Sequence, residues 1–142
     1  MTEKILIATV GYPRSGKSTW ARATGCPIVN PDSIRLALHG QRFVANAEPF
    51  VWAIAQTTVR ALFLAGHDRV VLDATNTTRK RRLAWVSEDW TVKWKHIETP
   101  AAVCIDRALK ASDLEIIPVI ERMRAEFEPL LPDEDLFYED AN

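Results

Sequence analysis

A chain of 142 residues, 47% hydrophobic and 26% charged, has room for one globular domain and is too short for two ordinary ones. No apolar run approaches the roughly 20 residues of a membrane helix, and the short one at Ile5 to Val10 runs into a glycine loop rather than a cleavage site, so neither a span nor a signal peptide is expected. The net charge of −1 conceals an asymmetry: from Glu126 onward there are seven acidic residues and no Lys or Arg, which leaves the rest of the chain at +6. A basic body of this kind suits a polyanionic ligand or is simply solvated surface, and charge alone leaves both readings open. Cys26 and Cys104 are far apart and lack metal-ligand spacing, so a reducing, cytoplasmic setting is expected.

In chain order, Lys4 to Val10 (KILIATV) is a short, β-prone apolar run ending at a glycine and predicts a buried strand. Ser18 to Ala23 predicts a helix and Cys26 to Asn30 a second strand. Pro31 to Gly40 predicts a short helix capped by Asp32 or Asn30 and stopped by its glycine. A longer helix from about Pro49 to Ala65 is expected to turn Phe50, Ile54, Val59, Leu62 and Phe63 inward, with Gly66 ending it. Arg69 to Asn76 (RVVLDATN) holds a third strand, Thr78 to Trp90 a helix, and Thr91 to Glu98 an outer strand, because its apolar residues alternate. Pro100 to Ala111 and Ile116 to Phe127 complete the helices. The acidic tail from about residue 128 is expected to be less ordered.

Strands alternating with helices predict an α/β three-layer sandwich around a central parallel sheet, forming one domain over residues 1–142; the alternation does not fix the strand order, and the order expected with the phosphate-loop reading is 2-3-1-4. Ligands of such sheets bind at the carboxyl ends of the strands. Three strand ends here carry polar residues: Gly11 to Thr19, Asn30 to Arg35, and Asp73 to Asn76.

The first of these, GYPRSGKS, matches G-x-x-x-x-G-K-S/T between a predicted strand and a predicted helix, the P-loop context. Gly11, Pro13, Arg14, Ser15 and Gly16 form a loop whose N–H groups can face oxygen anions, and the new helix adds its positive end. Lys17 would reach the β- and γ-phosphates of a nucleotide and Ser18 would ligate Mg²⁺; Thr19 supports the helix. The chain lacks an N/T-K-x-D guanine-reading stretch, and it is small for a motor, which leaves a kinase as the main expectation.

A kinase needs an acceptor for the proton of the hydroxyl it phosphorylates. Asp32, just past the second strand, is the candidate, and Arg35 shares its helical face and would hold substrate phosphate or the transferred group. The alternatives are a helix cap and a surface charge. Asp73 would steady Mg²⁺ through water or hold Ser18 or Lys17; Thr75 and Asn76 would bind the acceptor or serve the turn. Arg79, Lys80, Arg81 and Arg82 stand at a helix start, where cations oppose the helix dipole; a bound phosphate backbone would compensate, and a solvated face is the alternative. Arg107 and Lys110, one turn apart, form a lid over a triphosphate or a plain surface pair.

Together these segments resemble the kinase domain of bacteriophage-type 5′-polynucleotide kinases. The resemblance rests on GYPRSGKSTWAR, on NPDSIR (Asn30 to Arg35), and on DATN (Asp73 to Asn76) followed by RRLAW, and it spans Ile5 to about Phe127. It implies an ATP-dependent, Mg²⁺-assisted transfer to the 5′ ends of DNA or RNA. Lys17 and Ser18 would handle ATP and metal, Asp32 would be the base, and Arg35 and Thr75 would lie near the acceptor. The family often has Asp directly before Thr-Asn, where this chain has Ala74, and no residue matches the family's lid arginine convincingly. The phosphatase domain that often follows in such proteins is not found, so 3′-end trimming is not expected. A small-molecule kinase of the same fold and an ATP-binding module without transfer remain the alternatives.

Overall fold

A computed structural model describes residues 3–139. Four strands form one parallel sheet in the order β2-β3-β1-β4: β1 (Ile5–Val10), β2 (Ile28–Val29), β3 (Arg69–Leu72) and β4 (Thr91–His96). The helices are α1 (Lys17–Ala23), α2 (Pro31–His39), α3 (Glu48–Leu64), α4 (Arg79–Leu83), α5 (Ala101–Lys110) and α6 (Ile117–Glu126). The expected α/β layering and strand order are present. β1 and β3 are central, so their side chains are sealed on both faces: Leu6, Ala8, Val10, Val70, Val71 and Leu72 have no measurable exposure.

One face of the sheet packs Leu6, Ala8, Val10, Val70 and Leu72 against Ala55, Val59 and Phe63 of α3, with Trp85, Trp90 and Trp94 filling the outer end. The other face packs Ile7 and Val71 against Ala21 of α1. Burying each such Val or Leu contributes about 1.5–3 kcal/mol. Helices α5 and α6 close a separate small cluster, Ala101, Cys104, Ala108 and Ile120, with Tyr12 of the glycine loop against it.

Three expectations are corrected. The inner face of α3 is Val51, Ala55, Val59 and Phe63, spaced four apart, while Phe50 is 69% exposed and Ile54 also faces outward. The helix is apolar on nearly every side, so hydrophobicity alone does not fix its rotation. The helix expected over Thr78 to Trp90 stops at Leu83, because the chain turns there to bury Trp85 and Trp90, and the Trp90 indole N–H donates to the Trp85 carbonyl at 2.9 Å.

The third correction is the acidic tail, which is docked rather than loose as far as the described residues run. It lies alongside β4 as a parallel bridge: Trp94 N–H donates to the Asp135 carbonyl and Phe137 N–H to the Trp94 carbonyl, both at 2.8 Å. Glu134 is buried beneath it. The tail thus covers the edge that β4 would otherwise leave unpaired.

Candidate active site

The strand ends are stitched together before any ligand is considered. Thr9 Oγ1 donates to the Ala74 carbonyl at 2.7 Å and accepts from Ala74 N–H at 3.0 Å. Gly11 N–H donates to the Thr75 carbonyl at 3.0 Å. A Cβ on Gly11 would sit 2.8 Å from Ser15 Oγ and 3.1 Å from the Ile97 carbonyl oxygen, so the loop closes only over glycine. Gly16 takes a left-handed φ of 101° to start α1, a conformation that disfavours L side chains. Arg14 holds φ 65°, a strained value for a non-glycine residue.

The loop encloses an open cleft of about 380 Å³ lined by Arg14, Gly16, Lys17, Ser18, Thr19 and Arg107. The first N–H groups of α1 have no partner within their helix. Lys17 is 9% exposed and its ammonium donates to the Tyr12 carbonyl at 2.7 Å. Burial lowers its pKa, and the carboxylates of Asp73 and Asp32 act in the opposite sense, which places both within electrostatic reach of the ammonium. Arg107 Nη1 donates to the Arg14 carbonyl at 3.0 Å and so stands over the loop. Lys110 does not join it: it is 77% exposed and paired with Asp106 on its own helix.

Ser18 Oγ donates to Asp73 Oδ2 at 2.7 Å, and Asn30 Nδ2 donates to the same oxygen at 3.2 Å. This hydroxyl–carboxylate pair at the cleft floor is the oxygen chemistry Mg²⁺ uses when phosphates and water complete its shell. Among the described residues no cluster of three or more His, Cys, Asp or Glu is placed to hold a metal ion.

On α2 the capping question is resolved. Asn30 Oδ1 accepts from Asp32 N–H at 2.8 Å, so Asn30 is the cap and the Asp32 carboxylate is released from that role. Asp32 is 80% exposed on its side chain and accepts from Arg35 Nη1 at 2.7 Å. Arg35 is largely buried, and its remaining donors grip Glu48 at 2.7–3.2 Å. Burial opposes its charge, but Glu48 and Asp32 outweigh that effect and raise its pKa. Arg35 is therefore not a free cation awaiting substrate phosphate; it fixes the direction of Asp32.

The remaining candidates separate. Thr75 is half-buried where its carbonyl ties β3 to the glycine loop. Asn76 is 2% exposed and its Nδ2 donates to the Thr9 carbonyl at 2.9 Å, which holds the turn after β3, while its Oδ1 has no partner among the described residues. Arg82 is 1% exposed; its Nε donates to both Glu134 oxygens at 3.0 Å, and its Nη atoms donate to the Asn76 and Pro129 carbonyls. Arg79 is held by Asp133 at 2.8 Å and by Glu134. The expected phosphate-backbone contacts at Arg79 and Arg82 are thus replaced by the chain's own acidic tail.

Sequence reasoning missed Asp113, which follows α5. It accepts from Arg14 at 3.0 Å and from Arg42 at 2.6 Å, joining the glycine loop to the segment after α2. The Arg42 bond, against the upward push of burial and with help from Arg14, holds its pKa down to about 2. A single carboxylate in ASDLE carries no sequence signal for two partners 99 and 71 positions away.

Residues 6–130 match the AAA_33 family, described as an AAA domain. The chain belongs to this AAA domain family. Among solved structures it is similar to a chain of the Pnkp1/Rnl/Hen1 complex, at 27% identity and a TM-score of 0.67, over 75% of this chain and 40% of that one. This chain therefore spans well under half of that relative. It is also similar to a sugar kinase from Janibacter sp. HTCC2649 (20% identity, TM-score 0.65, covering 96% and 84% of the two chains). A third neighbour is the APS kinase CysC of Mycobacterium tuberculosis, solved with AMPPNP and APS (16% identity, TM-score 0.59, covering 100% and 86%). At these last two identities the likeness shows the fold alone. Family and neighbours together give this AAA-family chain the fold of these kinases, with the P-loop sequence GYPRSGKS between its first strand and first helix. Among the described residues no helix is long and apolar enough to cross a membrane.

Proposed function

We propose that this domain transfers the γ-phosphate of ATP to the 5′-hydroxyl of a DNA or RNA end, with Asp32 as the general base. The observation that carries the reading is Asp32 itself: Asn30 takes over the cap, Arg35 orients the carboxylate, and Lys17 feels its charge. The acceptor oxygen attacks the γ-phosphorus as its proton passes to Asp32. The bond from that phosphorus to the β-phosphate bridging oxygen breaks, and ADP leaves. Lys17 and Arg107 offset the charge on the non-bridging oxygens, and the loop N–H groups hold the β-phosphate. Ser18 and Asp73 would hold Mg²⁺, which supplies charge neutralisation at the phosphates when bound. Arg35 is a positioning residue for the base.

The nucleic-acid acceptor draws support from the neighbour in the Pnkp1/Rnl/Hen1 complex and from the segment resemblance. A small-molecule acceptor is favoured by one observation, the near-complete mutual coverage with the sugar kinase. Incubation with γ-labelled ATP and a panel of 5′-hydroxyl oligonucleotides, sugars and nucleosides separates these readings. Label on the oligonucleotides is expected. Label only on a metabolite overturns the acceptor, and ATP binding without any labelled product overturns the transfer.

A further inference from the structure

The three arginines after β3 meet two different fates. Arg79 and Arg82 belong to the tail, as described above. Arg81 is exposed, and among the described residues no carboxylate pairs with it. Its guanidinium lies instead over the ring of Trp52 on α3, 4.8 Å from the centroid. Arg35 lies over the same ring at 5.6 Å. These two distances limit the separation of the guanidinium carbons to about 10 Å. Trp85 meets Trp52 edge-on at 6.3 Å and, itself buried in the core, holds the platform in place. The Trp52 indole N–H has no acceptor among the described residues.

A contiguous path therefore runs from the exposed Asp32 carboxylate, through Arg35 and the Trp52 ring, to Arg81. Along it charge is neutralised at the inner end, where Glu48 and Asp32 both bind Arg35, and uncompensated at the outer end. A half-buried tryptophan that holds an exposed, uncompensated guanidinium against its ring is chemistry that receives a single-stranded nucleic acid: a base or sugar stacks on the guanidinium plane, and a phosphate pairs with the arginine. A sugar or nucleoside acceptor that ends at Asp32 has nothing to offer Arg81.

We propose that Trp52 and Arg81 form the subsite for the nucleotides downstream of the 5′-hydroxyl, so that the acceptor strand leaves the base across α3 and α4 rather than along Arg79 and Arg82. This rests on the polynucleotide reading of the Asp32 site. It assigns Arg81 the role of a length sensor: acceptors long enough to place a phosphate beside it bind better than a single nucleotide.

The test compares two acceptors, a 5′-hydroxyl nucleoside 3′-monophosphate and a single-stranded 8-mer, in wild type, Arg81→Ala, Arg81→Lys and Arg79→Ala. Wild type is expected to favour the 8-mer in KM. Arg81→Ala is expected to lower that preference by about 5–50-fold and to reduce the slope of log KM for the 8-mer against log salt by about 0.7. Arg81→Lys, which keeps the charge and loses the planar stack, should fall between, and Arg79→Ala should keep the wild-type preference. An equal loss on both acceptors, or no change in preference and slope, overturns the subsite while leaving the polynucleotide activity in place. Failure of wild type to label either acceptor, with a metabolite labelled instead, overturns the polynucleotide reading and this subsite together.

Discussion

The loop after β1 and the segment after β3 are both cation-rich stretches that follow a buried central strand, yet they reach opposite electrostatic states. Around the glycine loop, Lys17 and Arg107 donate to main-chain oxygens, and among the described residues no carboxylate forms an ion pair with either. After β3, Arg79 and Arg82 are closed off by Asp133 and Glu134 from the tail. The first arrangement leaves charge available for a ligand. The second uses charge to fasten the last segment of the chain to the sheet. A basic run is therefore informative about binding only once the partners of each side chain are known, and two adjacent arginines, 81 and 82, differ completely in this respect.

The comparison is broken most severely at Lys17. Replacing it with Ala removes the ammonium that we propose bridges loop and phosphates, and transfer is expected to fall by about 10²–10³-fold, measured by product formation at saturating ATP. On the other side, Glu134→Ala strands a buried guanidinium. A loss of about 3–5 kcal/mol in unfolding free energy is expected, read from urea denaturation. Substituting Arg82→Met together with Glu134→Leu should recover part of that loss, because no charge is then left unpaired. If Glu134→Ala instead lowers activity with stability intact, the tail is part of the acceptor site and the division drawn here is wrong.

Arg14 sharpens the contrast because it belongs to both regimes: it lines the cleft, and Asp113 holds it. The Asp113 pKa is depressed from 3.8 to about 2 in the folded protein, so its contribution to stability is complete above pH 4 and disappears as pH falls through 2. Between those values wild type should lose more stability than Asp113→Asn, and the two should run parallel above pH 5. The expected difference is the smallest of the set and is read from denaturant midpoints across pH. Parallel behaviour throughout would remove Asp113 as a clamp.

What the sequence discloses follows distance along the chain. The cradle is local: a strand, two glycines with constrained roles and a helix start lie between Ile5 and Lys17, and the structure assembles them as expected. The parallel sheet follows from alternating apolar runs, whereas its order comes with the P-loop kinase reading. Asp32 is also legible by position, although only the structure distinguishes it from Asn30 as the cap. The features that sequence reading misses are those set by remote partners. Glu134 lies 52 positions from Arg82, so an acidic tail and a basic run look like two solvated surfaces. Trp52 reads as one more apolar residue of α3 until Arg35 and Arg81 are seen on its ring. The expected inner face of α3 fails at Phe50 and Ile54 for a related reason, since a helix apolar on most sides takes its inner face from its neighbours.

The central claim is that Asp32 takes the proton of the attacking hydroxyl. The direct measurement is single-turnover transfer from γ-labelled ATP to the acceptor by Asp32→Asn, with ATP affinity determined on the same preparation. The account predicts a rate reduced by about 10²–10⁴-fold with ATP affinity near that of wild type. A rate within a few-fold of wild type would contradict it.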